Sequence, residues 1–389
     1  MLSSAKITAT LLVSVVILSQ IIFAFPSPSG KDATAAALLA PYRGKMPFHR
    51  RATNCNGDSS LCERSYGNVT FVGAHNSYGI HAGSTNVAAN QNISITDQLD
   101  AGVRLLQSQA HKSSNVSVQG AGIDLCHSDC SLFQGGTLEY WLSQIVAWSN
   151  ANPNNVVTLL IVNSDNLPAS QFAQAFESTG AAAKSYNPSS AGVGSNGVVS
   201  RSQWPSLGTM IDARTPLVSF LSTQADDNNP GYLLPEFSNV WETPFDQTSV
   251  PFNCSVDRIA QGSDSSNLLA LSNNFRSTRL FGDVTYPDTG NLGSTNSEQT
   301  QLDSAYACAA QHGNLNPNFI LTDYSQTGDY GALRAAAQLN GVSYTPPRSS
   351  SGSSASGNGS SSGNAASCLS HSSLLALFAL AVGGMALFA

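Results

Sequence analysis

Two short apolar runs, each followed directly by a histidine, decide the fold. They lie in VTFVGAHNS at residues 69–77, which contains His75, and in GIDLCHS at residues 122–128, which contains His127. Short apolar runs followed by turn-forming residues are typical of buried β-strands. In a barrel of parallel strands and helices, the carboxyl ends of the strands meet at one mouth. We therefore expect His75 and His127 to meet there, where one neutral and one protonated imidazole form an acid–base pair near neutral pH.

The rest of the chain supplies the strands and helices that such a barrel needs. Apolar residues at helical spacing predict helices over residues 137–152 and 299–312, with shorter ones near 95–101 and 171–176. Predicted strands lie at residues 69–73, 104–108, 123–126, 156–162, 217–221, 239–242, 268–271 and 319–322. Their alternation predicts an α/β fold, a single (β/α)8 TIM-type barrel over residues 52–346. An open doubly wound sheet is the alternative, but no glycine-rich phosphate loop follows the first strand.

The amino-terminal end carries processing signals. Residues 1–24 place Lys6 before a long apolar run, which predicts a secretory signal peptide. Residues 25–51 end in Arg50 and Arg51, a dibasic pair that predicts cleavage of a propeptide. An uncleaved leader is the open alternative for this second segment.

The carboxyl-terminal end predicts a lipid anchor. A Ser/Gly-rich linker over residues 347–366 precedes an apolar end, residues 367–389. Small residues, a polar spacer and a terminal apolar run predict a glycosylphosphatidylinositol (GPI) signal with Asn364 as the attachment residue and Gly363 as its rival. A transmembrane anchor is the weaker alternative, since nothing basic follows the apolar run. We expect the mature protein on the extracellular face of the plasma membrane or in the cell wall.

Cysteine usage agrees with export. One of the seven cysteines, Cys368, lies in the segment that GPI attachment removes, and six remain. An even set in an oxidising compartment predicts disulfides, although spacing alone does not fix their connectivity. The suggested pairs are Cys55–Cys62, Cys126–Cys130 and, by remainder, Cys254–Cys308. A structural metal site is disfavoured because no close CxxC pair occurs.

Composition limits the partners of this chain. Only 11% of the residues are charged, the net charge is −7 and no basic cluster occurs, so nucleic acid is excluded as a partner. N-glycosylation sequons predict a surface kept soluble by sugar. They begin at Asn68, Asn92, Asn115, Asn253 and Asn358. We expect a monomer whose membrane contact comes through its anchor.

Several segments together resemble the X domain of phosphatidylinositol-specific phospholipase C, most closely the secreted fungal PLC-like phosphodiesterases. The resemblance is carried by FVGAHNSYG (71–79), ITDQLDAGVRLLQ (95–107), IDLCHS (123–128) and TLEYWLSQIVAWSNANPNNVVTLLIVN (137–163), and it continues in residues 202–222 and 318–325. It covers most of the predicted barrel. The family fold is a (β/α)8 barrel that is sometimes irregular or incompletely closed.

The resemblance implies a role for each matching residue. His75 would be the general base that takes a proton from the inositol 2-hydroxyl, whose oxygen attacks phosphorus to give a cyclic phosphodiester. His127 would protonate the departing glycerol oxygen. Asp323 would orient His75, and Asn76 stands where metal-dependent members have a calcium-ligating Asn.

The chain departs from its family at the phosphate. Calcium-dependent members have carboxylates where this sequence has Gln107, Gln109 and Val162. Calcium prefers charged oxygen ligands, so we expect no metal cofactor. Metal-free bacterial members have an Arg at the position of Gln109, and that cation is missing too. We expect Gln107, Gln109 and Asn76 to contact the substrate, together with Arg104, for which a structural hydrogen bond is the simpler role.

Three functions remain open. The first is a metal-independent phosphodiesterase that cleaves an inositol phospholipid or a GPI-type glycolipid. The second is a non-catalytic barrel that binds lipid, glycan or cell wall; the two glutamines favour it and the paired histidines oppose it. The third is an enzyme similar to glycerophosphodiesterases or sphingomyelinase D, which need metal-binding acidic residues near the second strand that this chain lacks.

Overall fold

The structure is a computed structural model that describes residues 51–80, 88–114, 120–225, 230–281 and 284–347. The predicted signal peptide, most of the propeptide, nearly all of the linker, the GPI signal with Asn364, and the sequons at Asn115 and Asn358 lie outside the described residues. The sequon residues Asn68, Asn92 and Asn253 are described, and all three are exposed. Their glycosylation stays a prediction.

The described chain alternates strands with helices through most of its length. The strands are β1 (Phe71–Ala74), β2 (Leu105–Lys112), β3 (Ile123–Cys126), β4 (Gln134–Thr137), β5 (Val157–Asn163), β6 (Leu217–Leu221), β7 (Leu233–Pro235), β8 (Val240–Glu242), β9 (Leu269–Asn273), β10 (Ser277–Phe281), β11 (Val284–Pro287) and β12 (Phe319–Thr322). The α-helices are α1 (Ile95–Ala101), α2 (Leu138–Ala151), α3 (Ala169–Thr179), α4 (Leu207–Asp212), α5 (Glu236–Asn239), α6 (Leu292–Thr295), α7 (Glu298–Gln311) and α8 (Thr327–Asn340). Within these described ranges, no helix is both long and apolar enough to span a bilayer.

Eight strands form one curled parallel sheet in the order β7-β6-β5-β2-β1-β12-β9-β8. First and last strands of the chain therefore lie side by side in the middle of the sheet. No backbone pairing among the described residues joins β7 to β8, so the barrel is open between these two strands. The fold confirms the predicted (β/α)8 class, with the incomplete closure that the resemblance allowed.

One predicted barrel strand is wrong. The segment Ile123–Cys126 forms β3, which pairs antiparallel with β2 and then with β4, outside the parallel set. The eighth parallel strand is instead β7, which has three residues and pairs with β6. His127 therefore follows a side hairpin attached to β2, and His75 follows a true barrel strand.

Alternation along the strands separates two apolar layers. One set of side chains, including Leu105, Phe220 and Phe319, clusters inside the barrel. The opposite set, including Leu106, packs with α2 residues such as Trp141. Each fully buried side chain of this size stabilises the fold by about 1.5–3 kcal/mol. The odd residues of β2 therefore face inward, which directs Gln107 and Gln109 into the barrel.

Local polar contacts fix the ends of the longer helices. Helix α2 begins after Thr137, whose hydroxyl accepts from the Tyr140 N–H. Helix α7 begins after Ser297, whose hydroxyl accepts from the Thr300 N–H. Such caps satisfy backbone donors that the helix itself leaves unpaired.

The disulfides join the three suggested pairs, Cys55–Cys62, Cys126–Cys130 and Cys254–Cys308.

Substitution of Gly73 in β1 tests how tightly the barrel interior is packed. A Cβ there would lie 2.8 Å from the Leu321 Cδ1 atom and 2.9 Å from the Leu105 Cδ2 atom, whereas a Cβ at Gly293 of α6 meets nothing within 4 Å. We expect Gly73→Ala to lower the free energy of unfolding by about 1–3 kcal/mol through overpacking. Denaturant titration measures this loss, with Gly293→Ala as the control, which should keep or slightly raise the stability. Equal stability of the two variants would contradict this packing.

Candidate functional site

Pairing of the first and last strands places His75 beside Asp323. Ala74 of β1 lies opposite Thr322 of β12, and the His75 N–H donates to the Thr322 carbonyl at 3.0 Å. The next residue of each strand then leaves the sheet at the same edge. Nδ1 of His75 lies 2.9 Å from Oδ1 of the buried Asp323. A carboxylate accepts the Nδ1 proton, which assigns the tautomer in which Nε2 carries the lone pair of a base.

Two asparagines and a phenylalanine hold this pair in place. The Asn90 amide donates to Asp323 Oδ1 at 2.9 Å, and the Asn76 amide donates to Asn90 Oδ1 at 3.0 Å and to His75 Nε2 at 3.2 Å. The His75 ring stacks on Phe275, with centroids 4.1 Å apart and planes 6° apart. Nothing in the sequence marked Asn90 or Phe275, because both lie in segments without a periodic pattern.

The two inward glutamines of β2 each bind the backbone just after one histidine. Gln107 Oε1 accepts from the Asn76 N–H at 2.6 Å, and Gln109 Oε1 accepts from the Ser128 N–H at 3.0 Å. Neither carboxamide nitrogen has a partner within the described ranges. Each glutamine therefore braces the segment after a histidine and keeps an NH2 group that can donate to a ligand.

His127 lies in a loop that the Cys126–Cys130 disulfide closes. The next residue, Ser128, has a left-handed backbone with φ of 57°. Burial, together with repulsion from His75, lowers the pKa of His127 to about 4. Its imidazole is therefore neutral near pH 7 unless an anion lies beside it.

Both histidines and both glutamines line one cleft with a volume of about 540 Å³. The lining also includes Glu242, Phe245, Asp246, Arg258 and Phe275. Arg258 is ion-paired with Glu242, the last residue of β8. It lies in the long segment between β8 and β9, where the sequence shows no pattern that marks a functional residue. The structure thus adds a cation that sequence reasoning did not find.

The profile of the family described as PI-PLC X matches residues 61–340. This chain belongs to the PI-PLC X domain family. Among curated proteins, the "PI-PLC X domain-containing protein 1" of Arthroderma benhamiae is 34% identical over 292 residues, which cover 74% of this chain and 90% of that protein. An "Uncharacterized secreted protein" of the same fungus is 33% identical over 299 residues, or 75% of this chain. The match spans 64% of the length of that second relative.

Solved structures of similar proteins include the phosphatidylinositol-specific phospholipase C of Listeria monocytogenes. It shares 15% sequence identity with this chain at a TM-score of 0.47, covering 72% of this chain and 95% of its own. A calcium-dependent phosphoinositol-specific phospholipase C from a Pseudomonas species shares 14% identity at a TM-score of 0.41, covering 72% of this chain and 96% of its own.

The structure of this PI-PLC X domain corrects the expectation for Arg104. Its partly buried guanidinium donates to the Leu99 carbonyl and to Asn155 Oδ1, each at 2.7 Å, and lies 5.1 Å from the Trp148 ring centroid. Arg104 precedes β2, at the end of the sheet away from His75. It therefore ties α1 to the loop before β5 and does not line the cleft.

The low pKa of His127 gives a direct test of the site. We expect its imidazole to titrate near pH 4, because burial and the charge of His75 both disfavour its protonation. His75→Ala should move the midpoint upward, toward the ordinary value near 6.5, by removing the repulsion. NMR titration of the imidazole resonances measures both midpoints. A midpoint near 6.5 in the unsubstituted protein would show that the two histidines do not share this buried cleft.

Proposed function

We propose that this protein is a phosphoric diester hydrolase of the phospholipase C type, which cleaves an inositol phospholipid or a GPI-like glycolipid. One observation carries the proposal: His75, paired with Asp323, lines the same cleft as His127. Membership of the PI-PLC X domain family supports a phosphodiesterase that acts on lipids. The two histidines provide the base and the acid that this cleavage needs.

The proposed reaction uses both imidazoles in one displacement at phosphorus. His75 Nε2 takes the proton of the inositol 2-hydroxyl, and the resulting oxygen forms a bond to phosphorus. The bond between phosphorus and the glycerol oxygen breaks, and His127 gives its proton to that oxygen. The products are a cyclic inositol phosphodiester and a diacylglycerol. Asp323 stabilises the imidazolium that forms on His75, as a carboxylate does in other acid–base triads.

Substrate binding would convert His127 into the general acid. The pKa of His127 is low because of burial and the nearby His75, so the residue enters the cycle as a neutral imidazole. The negative charge of a phosphodiester beside it favours the protonated form and raises this pKa. The acid therefore forms where the leaving group needs it, and only with an anion in place.

We also propose that this reaction needs no metal ion. A calcium ion would require oxygen ligands that are free to bind it. The Oε1 atoms of Gln107 and Gln109 already accept backbone N–H groups. The carboxylates that line the cleft also have partners: Glu242 pairs with Arg258, and Asp246 accepts from hydroxyls of the β10–β11 hairpin. The residues present do not fit a calcium site.

We propose an extracellular location for this activity. The name of one relative describes a secreted protein, and the sequence predicts a signal peptide here. Glycans on the exposed Asn68, Asn92 and Asn253 would keep the monomer soluble. A GPI anchor at Asn364 would hold it at the plasma membrane or the cell wall. Its substrate is then a lipid of its own membrane or one met outside the cell.

Substitution of each histidine tests the proposal. We expect His75→Ala and His127→Ala each to lower the turnover of phosphatidylinositol by about 100-fold or more, because each removes one proton-transfer group. The measurement is diacylglycerol release from vesicles of phosphatidylcholine and phosphatidylinositol. His312→Gln is the matched control, since His312 precedes β12 at the opposite end of the barrel and contacts the Cys254 carbonyl.

Two results would count against the enzyme. Full turnover by both alanine variants would remove the histidines from the mechanism. Absence of turnover by the folded, unsubstituted protein, on inositol lipid and GPI substrates alike, would favour the second candidate, a barrel that binds lipid or glycan without cleavage. The neutral glutamines at the phosphate position are the observation that keeps this candidate open.

A further inference from the structure

Arg258 is the one lysine or arginine among the described residues that line the cleft. Its backbone pairs with Glu242, whose N–H donates to the Arg258 carbonyl at 2.9 Å and whose carbonyl accepts from the Arg258 N–H at 3.2 Å. The guanidinium is ion-paired with the Glu242 carboxylate and lies 4.7 Å from the Phe245 ring centroid. Backbone and side chain therefore both hold this cation against the cleft wall.

A second carboxyl group lies behind this ion pair. Glu236 begins α5, is 1% exposed, and has no donor partner for either carboxyl oxygen within the described ranges. Burial, followed by the charge of Glu242, raises the pKa of Glu236 well above its usual value. Burial and the charge of Glu242 therefore both favour the neutral form of Glu236, and Arg258 is the ion-pair partner of Glu242.

The reaction proposed above places negative charge where the β2 residues offer only neutral donors. Gln107 and Gln109 bring neutral carboxamide NH2 groups, whereas a guanidinium adds its own positive charge to the hydrogen bonds that it donates to a phosphate. An arginine has five N–H donors in a planar fork. The bond to Glu242 uses Nη2, which leaves further donors of Arg258 for a phosphate oxygen.

We propose that Arg258 is the cation that binds the phosphodiester group of the substrate in this cleft, with Glu242 and Glu236 as the residues that position it. This inference rests on the proposed function, which supplies the phosphodiester. It places the phosphate-binding charge on the segment after β8. The position on β2 where the metal-free relatives have an arginine is then a brace for the His127 loop.

The test compares two arginines in similar surroundings. Arg258 is 36% exposed, and Arg334 of α8 is 32% exposed, ion-paired with Asp329 at 2.9 Å and 5.8 Å from the Tyr344 ring centroid. Full-length chains with Arg258→Met, Arg258→Lys or Arg334→Met are expressed in a eukaryotic secretory host. Calorimetry measures binding of myo-inositol 1-phosphate and of neutral myo-inositol, and the vesicle assay measures kcat/KM.

We expect Arg258→Met to weaken binding of myo-inositol 1-phosphate by about 10- to 100-fold and to leave binding of neutral myo-inositol unchanged. Its kcat/KM on phosphatidylinositol should fall by about 100-fold. Arg258→Lys should give a binding constant and a kcat/KM between those of Arg258→Met and the unsubstituted protein, because lysine keeps the charge but lacks the planar fork of donors. Arg334→Met should match the unsubstituted protein in every assay.

The positioning residues have their own readout. Glu242→Gln should lower kcat/KM in the unsubstituted background and have little further effect in the Arg258→Met background, since it acts through that arginine. Glu236→Gln, which keeps a neutral polar side chain at this buried position, should retain kcat/KM. Equal effects of Glu242→Gln in the two backgrounds would show a merely structural role.

The two assays separate failure of this inference from failure of the proposed function. Normal turnover and normal anion binding by Arg258→Met would overturn the role of Arg258 and leave the phospholipase proposal intact. Absence of turnover by the unsubstituted protein, with anion binding that still depends on Arg258, would overturn the enzyme and support the anion site. Absence of any difference between myo-inositol 1-phosphate and myo-inositol binding would overturn the anion site.

Discussion

The hydrogen bond from the His75 N–H to the Thr322 carbonyl is the contact on which the site depends. It is the last bond between the first and the last strands of the barrel, and it places the residues after both strands at one edge. The imidazole of His75 meets the carboxylate of Asp323 only because these distant parts of the chain pair in this register. A shift by one residue would turn one of the two side chains to the outer face.

Strand β2 connects this pair with the second histidine. Its inward glutamines accept from the backbone directly after each histidine, Gln107 at Asn76 and Gln109 at Ser128. A carboxylate at either position would be a candidate metal ligand, whereas a carboxamide both accepts and donates. The exchange of acid for amide therefore gives these positions a bracing role and leaves positive charge to another part of the cleft. On this account the departures from the family pattern are coupled and do not mark decay of the site.

Much of the fold follows from local patterns in the sequence. Most predicted strands overlap observed ones, because apolar runs and helical spacing report burial directly. The strand β7 was missed because three residues carry no periodicity, and β3 was placed in the barrel because a buried run does not reveal the direction of its partner. The suggested disulfide pairs agree with the structure: two of them close short loops, and Cys254–Cys308 was the pair that remained.

The sequence predicted those site residues that lie on barrel strands or directly after them. His75, Gln107 and Gln109 line the cleft because each follows or belongs to a predicted barrel strand, whereas His127 reaches it from the side hairpin of β3 and β4. The rest depends on contacts between segments far apart in sequence. Arg258 reaches the cleft from an irregular segment, and no local pattern indicates that.

The chemical form of the released inositol phosphate tests the central claim most directly. Phosphorus NMR of phosphatidylinositol micelles, incubated with the full-length protein with and without EDTA, identifies the first product. Attack by the ring hydroxyl, assisted by His75 and His127 without a metal, predicts a cyclic inositol phosphodiester that accumulates at the same rate under both conditions. An acyclic phosphate as first product, or a cyclic product that appears only without EDTA, would contradict the account.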